Sequence, residues 1–402
     1  WRFFACYNRC QRSLRVMIIG IDKMASYTPE FALDLTTLAF ARGDEPEKYT
    51  IGIGQNKQAV IPNFEDVVTM GVNAARKILT VADREQIDMV IFATESGIDN
   101  SKSAAIYAQR LLGLSSFSRT IELKQACYAG TYGLMQANDY VKAHPDKRVL
   151  VIASDIARYG IATPGEVTQG GGAIAMIVSQ DPKLLAFNDD SVYMSQDVAD
   201  FWRPLDRTEA IVDGHLSTDI YKEMFLTLWQ RYKQNTNKTL NDFAGFAFHL
   251  PYTKMGKKAL DQIIDEAQDG QRQRLLANLE ASQLFSREVG NLYTGSVYLS
   301  LLSLISNSSD LLPGEQIAIF SYGSGAEAEL YSVTLQKDFH QYVPVDETKA
   351  MLAQRHEVTV AEYETMFNAQ LHHSYGESQT AANSARKTVQ FWGWRDGQRI
   401  YQ

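Results

Sequence analysis

Cys127, Glu95 and His249 are the residues of this 402-residue sequence whose types and settings could do chemistry. Cys127 lies in Ile121-Glu-Leu-Lys-Gln-Ala-Cys127-Tyr-Ala-Gly-Thr-Tyr-Gly-Leu-Met135, where an extended run gives way to a helical one. A cysteine at a helix start feels the positive end of the helix dipole, which favours the nucleophilic thiolate. Ala126, Ala129 and Gly130 are small enough to let a substrate reach the sulfur. The competing reading is a buried cysteine acting as a small hydrophobe, the commoner case for a lone cysteine. Glu95 follows the apolar run Asp88-Met-Val-Ile-Phe-Ala-Thr94, and His249 closes Phe243-Ala-Gly-Phe-Ala-Phe-His249. Both therefore fall at carboxyl ends of buried strands, where open α/β sheets gather ligands. There a carboxylate and an imidazole could act as base and acid around a thioester. A helix-capping carboxylate and a satisfied core histidine are the alternatives, and taken singly each is the more common.

The glycines narrow the chemistry. Gly170-Gly171-Gly172 precedes a strand instead of opening a helix, which fails the dinucleotide fingerprint and argues against a nicotinamide cofactor. Gly323-Ser324-Gly325 follows a tyrosine and so misses the spacing of a nucleophile elbow. It is either a backbone N–H aimed at a thioester oxygen or a plain tight turn. Lys254, Lys257 and Lys258 form a compact basic group after His249, either a phosphate contact or a solvated helix face.

These residues need a scaffold of strands alternating with helices. Helical spacing runs over 64–82, 103–112, 126–143, 219–234, 257–266 and 291–305, and apolar strand runs cover 88–94, 119–123, 148–154, 243–249 and 316–321. The alternation predicts an α/β protein with covered sheets, organised as two halves fused into one body. Beyond about Lys337 the chain is more polar and is expected to wrap the surface as helices. Residues 1–16 carry four arginines and no acid, then run into Met17-Ile-Ile-Gly-Ile-Asp22. They read as an upstream-translation or cloning artefact, with a short basic targeting arm as the alternative.

A net charge of -8 with pI near 5.5 argues against a nucleic-acid surface. No run of eighteen apolar residues is present to span a membrane. Two of the three cysteines, Cys6 and Cys10, lie in the leader. The body with its single cysteine therefore has no disulfide framework or cysteine-rich metal site, which fits a reducing, cytoplasmic setting.

Nine segments then occur in order: Ile51-Gly-Ile-Gly-Gln55, Ala93-Thr-Glu-Ser96, Ala126-Cys-Tyr-Ala-Gly-Thr131, Val167-Thr-Gln-Gly-Gly-Gly-Ala173, Phe201-Trp-Arg-Pro204, Val212-Asp-Gly-His-Leu-Ser217, Phe248-His-Leu-Pro-Tyr-Thr-Lys254, Gly290-Asn-Leu-Tyr-Thr-Gly-Ser296 and Phe320-Ser-Tyr-Gly-Ser-Gly-Ala326. Together they resemble the hydroxymethylglutaryl-CoA synthase family in its shorter bacterial form, from Met17 to about the C-terminus. The resemblance implies a thiolase-like fold of two fused αβαβα halves in a five-layered body, residues 17–183 with Glu95 and Cys127 and residues 184–402 with His249 and the helical tail. It implies a homodimer that condenses acetyl-CoA with acetoacetyl-CoA and water to 3-hydroxy-3-methylglutaryl-CoA and CoA, toward mevalonate and isoprenoids. No metal or prosthetic group is implied, since coenzyme A arrives with the substrates.

By the same resemblance Cys127 carries the acetyl group, Glu95 takes a proton from its methyl, and His249 holds and protonates the ketone oxygen of the second substrate. The N–H groups of Cys127 and Ser324 would form the oxyanion hole. Asn291, Thr168, Ser217 and Tyr159 would line the acyl pocket with Asp34 near its edge, Lys254 and Lys258 would meet coenzyme A, and Asp200 and Arg203 would support the site from behind. One departure is Ala129, where glycine is the commoner family residue, which adds a methyl beside the nucleophile. The alternatives are another thiolase-fold condensing enzyme, either a ketoacyl synthase or a polyketide branching synthase, and a silent acyl-CoA-binding relative. Glu95 argues against a decarboxylating synthase, which has no methyl proton to remove.

Overall fold

The structure is a computed structural model and describes residues 17–371 and 378–402; the basic leader lies outside the described residues. Its centre is a ten-stranded sheet. The first part of the chain contributes β1 (Ile19–Tyr27), α1 (Val67–Arg76), β2 (Ile87–Ala93), α2 (Ala104–Leu111), β3 (Arg119–Leu123), α3 (Ala129–Ala143), β4 (Arg148–Ala157) and β5 (Gly170–Gln180). The second contributes β6 (Leu185–Phe187), β7 (Val192–Ser195), α4 (Gly214–Thr236), β8 (Phe243–Phe248), α5 (Asp269–Val289), α6 (Ser296–Asn307), β9 (Gln316–Gly323) and β10 (Glu327–Leu335).

The strand order is β8-β9-β10-β6-β1-β5-β4-β2-β3, with β7 also paired to β10. The two parts repeat one pattern. In the first, β2 and β4 are parallel while β4–β5 and β5–β1 are antiparallel; in the second, β8 and β9 are parallel while β9–β10 and β10–β6 are antiparallel. This repetition puts Glu95, just past β2, and His249, just past β8, at equivalent strand ends. The parts join where β1 pairs β6 at Gly20↔Ala186 and Ile21↔Leu185. A Cβ on Gly20 would lie 1.9 Å from the Leu185 carbonyl oxygen, so only glycine allows this seam.

Burial follows the two-residue period of strands. Val149, Val151, Ile174 and Met176 face a core shared with α3, α6 and the inner faces of β9 and β10. Leu150, Ile152, Ala173 and Ala175 face the opposite way, against α1 and α2. In the second part Phe246, Phe248, Ala318 and Phe320 face α4. Five layers result: outer helices, one part of the sheet, the central pair α3 and α6, the other part of the sheet, outer helices.

Some predicted elements move. The 64–82 helix is shortened to α1, because Asp66 caps it at Thr69 and the chain turns after Arg76. The 291–305 helix begins only at Ser296, because Asn291 Oδ1 accepts from Tyr293 N–H and Ser296 Oγ and holds a separate turn. Among the described residues the tail has α-helices over Val345–Ala353 and Val360–Leu371 and a 3-10 turn at Phe339–Tyr342, and it ends in the hairpin Phe391–Arg395/Gln398–Tyr401. Asp396 and Gly397 both take positive φ at its turn, the Asp-Gly hairpin signal the polar composition concealed. Arg399 and the Tyr401 hydroxyl both donate to Asp66 Oδ2, at 2.8 and 2.6 Å, tying the hairpin to α1. Arg399→Leu should strand the buried Asp66 carboxylate and remove about 3 kcal/mol of stability. The measurement is thermal unfolding, and an unchanged Tm would refute this role.

Candidate active site

Cys127 sits two residues before α3, directly after Ala126, whose φ of +42° is rare for a residue with a side chain. The kink turns the thiol into a pocket walled by Phe201, Tyr293, Ala157 and Tyr159. The rings of Tyr159, Phe201 and Tyr293 meet edge to face at 5.8 to 6.2 Å and screen the sulfur from water.

Glu95 reaches the nucleophile: the thiol donates to its Oε1 at 3.3 Å. The Glu95 carboxyl is pushed up to about 8, first by burial and then by the Asp155 charge, against the pull of Arg203 and the thiol hydrogen bond. The thiol itself is pushed well above its ordinary value by burial, Glu95, Asp155 and Asp200. This corrects the expected thiolate: the helix dipole is outweighed by desolvation and nearby carboxylates, so the resting group is a thiol.

Asp155 was missed by the sequence reading. It is fully buried and accepts five hydrogen bonds: Thr94 Oγ1, Glu95 N–H and Ser96 N–H on Oδ1, and Thr294 N–H and Oγ1 on Oδ2. It thereby clamps the Glu95 loop to the turn before α6. Its signal in the sequence is a carboxylate just after the apolar run 149–153, inside β4, which continues to Ala157.

His249 is held by its backbone. Its N–H donates to Phe320 O at 2.8 Å, and Tyr221 OH donates to its carbonyl at 2.7 Å. Burial pushes the imidazole down to about 3, so it is neutral, and its Nδ1 has no hydrogen-bond partner among the described residues. Among the described residues no hydrogen bond joins it to Cys127. The two are brought to one rim because β9, the neighbour of β8, ends against the nucleophile: a Cβ on Gly323 would lie 2.5 Å from Tyr128 N and 2.7 Å from Gln125 O. The turn through Ser324 follows directly.

Asp200, fully buried, accepts from Tyr322 OH at 2.6 Å, Gly325 N–H at 2.9 Å and Ser217 Oγ at 3.0 Å, and so joins the flap bearing Phe201 to that turn. Asn291 Nδ2 donates to Tyr159 OH at 3.3 Å. Among the described residues, Asp34, Thr168, Lys254 and Lys258 make no hydrogen bond to Cys127 or Glu95. Asp34 caps a helix through Thr37 N–H, Thr168 Oγ1 donates to Gly165 O, and Lys254 N–H donates to Ile53 O. Lys258 is exposed and donates to Tyr252 OH at 2.9 Å. A small cavity behind the pocket wall, lined by Gln58, Ala157, Arg158 and Gln169 among others, has about 20 Å³ for water and is too small for an acyl chain. Among the described residues no group of three His, Cys, Asp or Glu side chains could hold a metal, and no helix is long and apolar enough to cross a membrane.

A thiol hydrogen-bonded to a basic carboxylate, inside a duplicated five-layer α/β body of thiolase-like fold, defines an acyl-CoA condensing enzyme. The N-terminal model of hydroxymethylglutaryl-coenzyme A synthase matches residues 15–183, and the C-terminal model matches 188–280 and 266–390. The chain belongs to the hydroxymethylglutaryl-CoA synthase family. It is 48% identical over 351 residues to hydroxymethylglutaryl-CoA synthase of Enterococcus faecalis, covering 87% of this chain and 92% of that one. It is 30% identical to a polyketide-biosynthesis 3-hydroxy-3-methylglutaryl-ACP synthase of Bacillus subtilis, covering 87% of each. A crystal structure of HMG-CoA synthase complexed with CoA superposes with a TM-score of 0.91 at 42% identity, covering 96% of this chain and 99% of that one.

Proposed function

We propose that this protein condenses acetyl-CoA with acetoacetyl-CoA and water to 3-hydroxy-3-methylglutaryl-CoA and CoA, the step toward mevalonate, through an acetyl group on Cys127. The observation that carries the reading is the 3.3 Å thiol–Glu95 pair in a closed aromatic pocket. Higher identity to the E. faecalis enzyme than to the carrier-protein enzyme supports CoA over ACP as donor.

Cys127 sulfur attacks the acetyl carbonyl; its proton leaves with CoA as the free thiol. The N–H groups of Cys127 and Ser324 hold the carbonyl oxygen, an arrangement supported by the packing of Gly323 on Tyr128. Glu95 takes a proton from the acetyl methyl, and its raised pKa makes it a stronger base than an ordinary carboxylate. The resulting carbanion attacks the ketone carbon of acetoacetyl-CoA. His249, neutral, donates a hydrogen bond to the developing alkoxide and supplies its proton. Water then cleaves the Cys127 thioester, leaving the free carboxylate of the product.

Tyr159, Asn291, Thr168 and Ser217 line the acyl pocket with Asp34 at its edge, Lys254 and Lys258 meet the coenzyme phosphates, and Asp200 with Arg203 braces the pocket. Residues 17–183 and 184–402 act as the two halves, supported by the repeated strand pattern. The protein works in the cytoplasm as a homodimer. The unpaired outer edge of β3, with Phe117 and Ile121 exposed, is the edge a second copy would cover. Incubation with acetyl-CoA alone should add one acetyl group on Cys127 by mass spectrometry, and acetoacetyl-CoA should then be consumed. Absence of the adduct would sink the reading.

A further inference from the structure

Glu329 is a buried carboxylate that the chemistry above does not use. It lies in β10, is 3% exposed, and forms no ion pair among the described residues. Burial pushes its carboxyl up, while its two hydroxyl donors pull it down. Those donors are Ser191 Oγ on Oε1 and Tyr128 OH on Oε2, the latter at 2.6 Å. A buried carboxylate without a cation is expensive, and an apolar pair of similar volume would hold the same interface at lower cost. The arrangement therefore needs a reason beyond packing.

Its partner supplies one. Tyr128 is the residue after the nucleophile and the N-cap of α3, and no side chain caps that helix end. The β9–β10 hairpin touches this segment twice. At its tip Gly323 packs on the Tyr128 backbone so tightly that a Cβ would meet Tyr128 N at 2.5 Å. Along β10, Glu329 holds the Tyr128 phenol, while its register partner in β9 is Ser321, two residues before Gly323. β9 and β10 are held in the sheet by β8, β6 and β7; the two contacts register that sheet end against the nucleophile segment and together set the distance from Cys127 to the Ser324 turn.

We infer that the Tyr128–Glu329 hydrogen bond is a positioning device that sets the Ser324 turn against Cys127 and so aligns the oxyanion donors for acetyl transfer. The inference rests on the proposed acetyl-Cys127 chemistry. Neither residue touches the substrate in this scheme, so binding is separate from rate. A misplacement of about 1 Å in such a site costs about 100-fold in rate.

The test is rapid-quench acetylation with labelled acetyl-CoA. Tyr128→Phe should slow acetyl-enzyme formation about 10- to 100-fold, with the concentration of acetyl-CoA giving half-maximal rate changed less than about two-fold. Glu329→Gln keeps an acceptor for the phenol and should stay within about five-fold of wild type. Glu329→Ala should match Tyr128→Phe, and the double variant should be no slower than either single, as expected for one shared interaction. Wild-type rate in Tyr128→Phe, or a double variant whose losses multiply, would overturn the inference. If Glu329→Ala fails to fold, the comparison of Tyr128→Phe with Glu329→Gln decides: equal rates overturn it, and a selective loss in Tyr128→Phe supports it. A wild-type protein that forms no adduct would overturn the underlying reaction and this device together, whereas an adduct formed equally well by every variant overturns the device alone.

Discussion

Glu95→Ala should form the acetyl-enzyme on Cys127 and yet lose condensation by about 10²- to 10⁴-fold, the usual range for removing a general base. The two steps separate because Glu95 serves them in opposite senses. Its negative charge and its hydrogen bond both push the Cys127 thiol up, so removing it makes the sulfur easier to ionise. Glu95 is the carboxylate hydrogen-bonded to the sulfur that would carry the acetyl group, and so the base placed to reach its methyl. Mass spectrometry reads the first step and loss of acetoacetyl-CoA absorbance the second; a variant that condenses normally would show that the base is elsewhere.

The same residue sets a pH dependence in wild type. Condensation needs ionised Glu95, so its rate should climb with pH through about 8 and then level. Stability should move the other way. The folded carboxyl is raised to about 8 from 4.5, so its contribution is fully present below about 4.5 and is lost as pH rises through about 8. At about 1.4 kcal/mol per pH unit of difference, Glu95→Gln should be more stable than wild type by up to a few kcal/mol at pH 8 and by little at pH 4. Denaturant unfolding at both pH values measures this, and a gain independent of pH would contradict it.

Asp155→Asn should cut both stability and condensation. The site presents five donors and no acceptor requirement, a pattern only an ionised carboxylate satisfies in full. An amide turns its NH₂ toward one of those donors, leaving a buried N–H unpaired, at about 1–3 kcal/mol. The Glu95 loop and the Thr294 turn then lose their common anchor, so the base drifts from the sulfur. Because the Asp155 charge raises Glu95, its removal should also shift the rising, acid-side limb of the pH–rate profile to lower pH. Purely structural damage would lower the amount of active protein and leave the limb in place. An unmoved limb would therefore show that Asp155 acts only as a clamp.

The C-terminal hairpin marks one boundary of what sequence patterns reveal. Of its apolar residues Phe391, Trp392, Trp394, Ile400 and Tyr401, Phe391 and Tyr401 bury themselves against α1, more than three hundred positions away. The tail from about Lys337 averages polar and hides this short aromatic-rich segment, whose hairpin signal is the Asp396-Gly397 turn. The strands β4, β8 and β9 were legible for the opposite reason: they are buried on both faces, so they read as continuous apolar runs.

Glu95, Cys127 and His249 were legible because each follows such a run or opens a helix, and backbone periodicity is local information. Their chemical states were not. A thiol expected as thiolate is protonated, a carboxylate is raised to about 8, and an imidazole is lowered to about 3. Burial shifts all three; for Cys127 it comes under Phe201, Tyr159 and Tyr293, with the charges of Asp155 and Asp200 added, and for Glu95 with the charge of Asp155 added, groups 28 to 166 positions from the residues they act on. By itself the sequence determined which side chains stand at the strand ends. Only the tertiary structure decided how acidic or basic they are, because desolvation and Coulomb interactions depend on distance through space and not along the chain.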